Sequence, residues 1–380
     1  MTRVRILVTS FPAYGHFHPV APLALALQAA RHEVRVATGP NLVDWALRCG
    51  LPASAVGLPL DVAEATAARD HAGPAATGHL FTDVWVGSAL PGLLELTGRW
   101  RPDLVVHEEQ EYAGVLLAAL LGVPCVTQSW SAPARALAGR QAQEAMLAPI
   151  WERHLPGSTP RRVGELYLDG CPPAFQTDDV LDIGRTTLVR PVRPTTYDGP
   201  PAEAPHPVRD LARPAAYVTL GTVPTFSTPE LLHAVATAVA PVVDSVVVTT
   251  GPNPVESLGD LPPKVRAVGY LPQSSLLPAV DLVVSHGGAG GTLGALEHGL
   301  PHLVLAGRGM SQRSIAAAAD RLGVGISLDD EHRDRVSIAA ACQRLLGEPS
   351  FATAARALAR ELDDLPGPAE LVGLVESVAA

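Results

Sequence analysis

The sequence predicts an α/β fold of two Rossmann-like, doubly wound domains with a cleft between them. Two observations carry that prediction. Short β-branched runs alternate with helical stretches in both halves of the chain, the pattern of parallel βαβ units with helices on both faces. Between the halves, residues 197–214 are dense in proline and carry no hydrophobic period, which marks a stiff linker. At 380 residues and 47% hydrophobic content, the chain is long enough for two buried cores.

In the first half, residues 4–9 read as a strand, 10–18 as a Gly/Pro loop and 19–30 as a helix with Pro19 at a favoured first-turn position. Strands follow at 34–38 and 104–106, then a helix at 112–121 and a strand at 125–128. Past the linker the pattern restarts with a strand at 216–220, a helix at 229–239 and strands at 246–249, 265–268 and 282–285. The boundary falls in the linker, giving domains 1–205 and 206–365. In open parallel sheets ligands bind outside the carboxyl ends of the strands, so two such halves facing each other form a binding cleft.

Composition narrows the function. With 28 basic against 38 acidic residues the net charge is −10, and no basic run or basic-aromatic patch is present, which argues against nucleic acid or an anionic membrane as partner. An anionic ligand must therefore be held by local dipoles. Cys49, Cys125, Cys171 and Cys342 are scattered without pairwise spacing, so neither a zinc site nor a disulfide framework is expected. No signal-peptide pattern follows Arg3 and Arg5, and the longest apolar segment, 113–126, is broken by Gly122 and Pro124. The chain reads as a soluble cytoplasmic protein without cofactor or metal, its oligomeric state open, a homodimer included.

The most informative stretch is 283–296, where a buried-strand pattern runs through Ser285-His286-Gly287-Gly288-Ala289-Gly290-Gly291-Thr292 into a helix. Glycines let the backbone approach a ligand, and a helix opened by Gly291 and Thr292 presents N–H groups and a dipole to an anion. His286 adds a side-chain donor. No Gly-Lys-Ser/Thr follows, which excludes a nucleotide-hydrolysing P-loop. A Gly-x-Gly-x-x-Gly match at Gly288 comes late in the chain and lacks the following carboxylate, so a dinucleotide site is set aside. Gly221 and Thr222, after the strand ending at Leu220, offer a second glycine turn.

The loop Phe11-Pro12-Ala13-Tyr14-Gly15-His16-Phe17-His18-Pro19, the segment Gly269-Tyr270-Leu271-Pro272-Gln273 and the cradle at His286 occur in the order and spacing of the GT-B glycosyltransferases. More narrowly, the chain resembles the inverting, metal-independent enzymes that glycosylate natural products in actinomycetes. The resemblance implies that His16 is the general base and that Glu108 orients its ring, with Glu109 and Glu111 as competitors for that role. It implies a donor diphosphate on His286, Gly288, Gly290, Gly291, Thr292, Gly221 and Thr222, and a nucleobase at Tyr270, Leu271 and Gln273. Ser311 and Gln312 fall at the donor sugar, and Phe81, Trp85, Trp130 and Met146 in the acceptor region, where core packing is the competing reading of Trp85, Trp130 and Met146. A tail helix, 366–380, is expected to pack back on the first domain.

Chemistry supports the same assignment. A histidine with an ordinary pKa of about 6.5 is suited to take a proton from an alcohol during its attack on an anomeric carbon. A carboxylate behind the ring fixes its tautomer, and donors at the cradle stabilise the departing nucleoside diphosphate. Two departures narrow the donor. Gly294 stands where plant relatives place a ribose-gripping glutamate, and Ser311 where the family commonly has an aspartate; a thymidine diphosphate donor with a deoxy or O-methylated sugar fits both. The alternative is a catalytically weakened helper that binds or activates a partner transferase, against which stand His16 and Glu108. An oxidoreductase lacks an N-terminal dinucleotide fingerprint.

Overall fold

The computed structural model describes residues 3–130, 137–176, 187–200, 208, 210–222, 227–307 and 309–379. The first sheet contains β1 (Arg5–Thr9), β2 (Glu33–Thr38), β3 (Ala53–Ala55), β4 (Leu104–Glu108), β5 (Cys125–Gln128), β6 (Leu166–Asp169) and β7 (Leu188–Pro191). The second contains β8 (Ala215–Thr219), β9 (Ser245–Thr249), β10 (Val265–Val268), β11 (Leu282–Ser285), β12 (His302–Leu305) and β13 (Gly325–Leu328). Their orders are β3-β2-β1-β4-β5-β6-β7 and β10-β9-β8-β11-β12-β13, with parallel pairing throughout.

Both orders reverse direction once. The switch lies between β1 and β4 in the first sheet and between β8 and β11 in the second. Loops diverge there in opposite directions and leave a crevice at the strands' carboxyl ends. The strands are apolar on both faces because helices cover both. On β1 and β4, Leu7 and Val105 join the cluster around Trp85 and Tyr112, whereas Ile6, Val8, Leu104 and Val106 join the cluster around Phe17 and Leu27.

The first helix, Tyr14–Ala29, starts five residues before the expected 19. Pro19 and Pro22 lie inside it, past its first turn, so each removes one i→i−4 backbone bond that the helix does without. His16 consequently sits on the first helical turn, not in a loop. Strands β3, β6, β7, β12 and β13 were not legible in the sequence; they are three or four residues long.

The domain boundary at 205/206 lies outside the described residues. Beyond the second domain's helix Pro349–Asp363, the chain crosses back. Leu371, Val372 and Val375 are buried in the first domain's core, and His32 Nε2 stands 3.0 Å from Glu376 Oε1 on the helix Val372–Ala379. Among the described residues, no helix is long and apolar enough to cross a membrane.

Candidate active site

The first switch point joins two residues far apart in sequence. His16 follows β1, and Glu108 is the last residue of β4; Nδ1 of the ring lies 2.9 Å from Glu108 Oε2. Glu108 is fully buried, and its Oε1 accepts the Gln110 N–H at 3.0 Å. The His16–Glu108 contact is close but angled away from a straight hydrogen bond, and neither atom has another partner. A proton on Nδ1 therefore faces the carboxylate, which leaves Nε2 to accept one from a ligand. Phe11 and Phe81 lie against the ring at 5.2 and 5.4 Å, and Trp130 stacks on it at 5.3 Å with planes 11° apart.

Of the competing carboxylates, Glu111 has a different task. Its Oε2 caps the helix Tyr112–Leu121 by accepting the Gly114 N–H, and its Oε1 accepts the Trp85 indole N–H, both at 2.8 Å. Burial pushes its carboxyl up to about 7, against the opposing pull of bonds from Thr9, Trp85 and Gly114. Glu109 is turned towards Tyr167. Trp85 corrects the expectation of an acceptor wall: it is fully buried, with its one N–H committed to Glu111. Met146 is half-buried with its thioether seated over Gly78, where a Cβ would meet Met146 Cε at 2.5 Å. Phe81 and Trp130 are the two members of that set at His16.

At the second switch point, His286 follows β11. A Cβ on Gly221, which follows Leu220 at φ +81°, would stand 2.6 Å from the His286 ring, and so would one on Gly288. Burial lowers the His286 pKa to about 4, opposed by a hydrogen bond to the Thr219 backbone, so the ring is neutral at pH 7.

The cradle helix runs Ala289–Glu297, two residues earlier than expected, with Gly288 at its N-cap. Its first-turn N–H groups, on Ala289, Gly290 and Gly291, have no intrahelical acceptor. The Thr292 N–H does not belong to that set, because it donates to Gly288 O at 3.1 Å; the Thr292 hydroxyl is buried without a partner. The Gly221 N–H is likewise used, donating to Thr219 Oγ1 at 3.3 Å, while Thr222 is exposed.

Behind the cradle lies an arrangement the sequence did not reveal. Gly287 donates its N–H to Ser285 Oγ at 3.0 Å, and that hydroxyl is 2.8 Å from Nε2 of His302 on β12. His302 is fully buried, and burial takes its pKa to about 3. The pair fixes the turn at Gly287, whose φ is +80°.

Gln273 Nε2 donates to Gly290 O at 3.2 Å, which ties the 269–273 segment to the cradle helix. Tyr270 presents its ring edge-on to Trp45 of the first domain at 6.1 Å and donates its hydroxyl to Asp198 O at 2.9 Å. The Asp198 carboxylate accepts both the N–H and the hydroxyl of Ser274, at 2.7 and 2.8 Å. The Leu271 side chain is buried in the core of the second domain. Gln312 is also turned inward, accepting the Gly309 N–H at the start of the helix Met310–Leu322; Ser311 beside it is half-buried. At Gly294 a Cβ would meet Leu277 Cδ1 at 2.8 Å. Between the domains lies a cleft with Gly15, His18 and Trp130 on one side and Gln273, Gly290 and Leu293 on the other.

Known proteins match this arrangement from end to end. Residues 75–204 match the N-terminal domain of the family described as erythromycin biosynthesis protein CIII-like, and residues 233–378 match its C-terminal domain. The L-demethylnoviosyl transferase of Streptomyces niveus is 33% identical, with 96% of each chain covered. Among solved structures, the glycosyltransferase SsfS6 of Streptomyces sp. SF2575, complexed with thymidine diphosphate, superposes with a TM-score of 0.82 at 29% identity, over 99% of this chain and 100% of that one. The spinosyn rhamnosyltransferase SpnG, complexed with thymidine diphosphate, gives a TM-score of 0.82 at 27% identity, over 98% of this chain and 100% of that one. The chain belongs to the EryCIII-like family of GT-B, nucleotide-sugar-dependent glycosyltransferases of actinomycete antibiotic biosynthesis.

Proposed function

We propose that the protein is an inverting transferase that moves a deoxysugar from a thymidine diphosphate donor to a hydroxyl of a hydrophobic natural-product acceptor. The observation that carries this reading is the contact of His16 Nδ1 with Glu108 Oε2 at 2.9 Å, at one switch point, with a helix-N-terminal cradle at the other. His16 Nε2 takes the acceptor's hydroxyl proton as the oxygen attacks the anomeric carbon. The bond from that carbon to the phosphate oxygen breaks, and its electron pair leaves with the diphosphate. A single displacement inverts the anomeric centre. Glu108 supports the imidazolium that forms, while His286 and the N–H groups of Ala289, Gly290 and Gly291 take up the leaving charge.

The donor assignment rests on space as well as charge. Gly294 packs against Leu277 and offers no carboxylate to a ribose, which suits a deoxyribose lacking the 2′-hydroxyl. SsfS6 and SpnG were crystallised with thymidine diphosphate, which supports the same donor class. Gln273 and the 270–271 backbone are the proposed base contacts, and Ser311 the proposed sugar contact. A nucleotide-sugar donor fits a cytoplasmic enzyme. Incubation with a panel of TDP- and UDP-sugars, read by chromatography for transfer and for slow donor hydrolysis, tests the reading. Consumption of TDP-deoxysugars is expected; neither transfer nor hydrolysis with any donor would favour the helper role.

A further inference from the structure

Trp130 touches both halves of the machinery. One face of its indole lies parallel to His16 at 5.3 Å and 11°. The ring also packs against the pair Ala289 and Ile315, which belong to the second domain. Ala289 is the first residue of the cradle helix, and Ile315 lies in the helix Met310–Leu322. The other two rings on His16 do not make this connection: Phe11 and Phe81 pack on each other at 4.7 Å and belong to the first domain's core.

We propose that Trp130 is a positioning residue that couples the seating of the donor domain to the alignment of the base. The inference rests on His16 being that base. An imidazole held by one angled carboxylate contact can still tilt about its side-chain torsions, and a flat ring laid over it removes that freedom. Trp130 is itself half-buried, and the second domain supplies the surface that holds it in place. When His16 takes the acceptor's proton, the indole face also lies opposite a cation, an electrostatically favourable partner. Base alignment therefore depends on the position of the cradle helix. Proton abstraction is matched to a seated donor domain through Trp130.

The competing use of Trp130, as a wall for the acceptor, predicts different kinetics. Trp130→Ala and Trp130→Phe are compared with wild type at saturating donor, with His16→Ala assayed in parallel and TDP affinity measured by calorimetry as a check on folding. Trp130→Ala should lower kcat about 10- to 100-fold, the scale of a small misplacement of a reacting group, with the acceptor KM within about twofold of wild type. Trp130→Phe, which keeps an aromatic face, should recover most of that loss. TDP titration should change the tryptophan emission of wild type, and the change should shrink sharply in Trp130→Phe. A rise in acceptor KM with kcat intact, or an emission change of the same size in Trp130→Phe, overturns the coupling. Full turnover by His16→Ala overturns the base reading beneath it, whereas an inactive His16→Ala beside a fully active Trp130→Ala overturns the coupling alone. Should Trp130→Ala fail to bind TDP, the Phe variant's kinetics and emission decide.

Discussion

Gly288 has no side chain because His286 occupies the space: a Cβ there would stand 2.6 Å from Nε2 of the ring. Gly221 clears the ring from another direction, and its φ of +81° adds a backbone reason for glycine. The ring has no room to yield to both. Alanine at either position should displace His286 and weaken TDP binding, and Gly221→Ala should cost about 1 to 3 kcal/mol of stability from strain and overpacking. Calorimetry with TDP and denaturant unfolding of the two variants measure these effects; unchanged TDP affinity in both would remove His286 from the diphosphate site.

His286→Ala should weaken TDP binding by about 1.5 to 3 kcal/mol, the usual value of a hydrogen bond to a charged acceptor. Deleting the cradle should remove donor binding and spare acceptor binding, because the proposed acceptor region lies on the other domain.

His16→Ala should lower turnover by about 10² to 10⁴ with TDP affinity nearly unchanged, since general-base catalysis acts on the acceptor and not on the diphosphate. Glu108→Gln keeps the shape but loses the charge that supports the imidazolium, and should fall in the same direction. Steady-state kinetics on both variants check this; a His16→Ala enzyme fully active with an alcohol acceptor sinks the base assignment.

Gly294→Glu should not create a ribose clamp. Its Cβ meets Leu277, so the variant should lose about 1 to 3 kcal/mol of stability by overpacking and gain no affinity for UDP over TDP. Thermal-shift titrations with both nucleotides read out the comparison. Ser311→Asp, by contrast, restores a carboxylate at a half-buried position and should shift preference towards a fully hydroxylated hexose, measured by competition between donors.

Acid should destabilise the protein earlier than ordinary carboxylates would. Burial lowers His18, His107 and His286 to about 4 and His302 to about 3. Each is neutral in the folded state, while the unfolded chain binds its proton near pH 6.5, so their stabilisation is full above about 6.5 and is lost as pH falls towards about 4. Glu111, raised to about 7, and Asp169, raised to about 6, act in the opposite direction in an overlapping window, since their folded forms hold protons the unfolded chain releases. Four groups oppose two. Urea midpoints measured from pH 8 to pH 5 should therefore fall on the acid side; a flat profile would contradict neutral buried histidines.

The parts legible in the sequence are those written in contiguous residues. Strand, glycines and histidine at 283–292 signal a cradle without reference to anything distant, and the alternation of short apolar runs fixes the layer architecture. Helix starts were less legible: Pro19 suggested an entry, yet the structure tolerates it in the first turns, and the cradle helix opens at Ala289. What the sequence could not display were meetings between remote residues. Ser285 with His302, Asp198 with Ser274, and Trp130 with both His16 and Ala289 depend on strand order and domain packing. Trp85 stood open to two readings, acceptor wall or core, because an aromatic carries no mark of which way it faces, and it lies in the core. Glu108 became legible only through resemblance; the structure brings it, and not Glu111, to His16.

The returning C-terminal helix changes where this chain can be cut and rejoined. Leu371, Val372 and Val375 fill the first domain's core, and Glu376 sits on His32. A hybrid made by joining at the linker alone would give the incoming first domain a foreign plug, mismatched in shape and lacking the His32–Glu376 contact. Chimaeras that exchange acceptor specificity should therefore use two crossover points, one in the linker and one just before the tail, so that the last helix travels with the domain it seals.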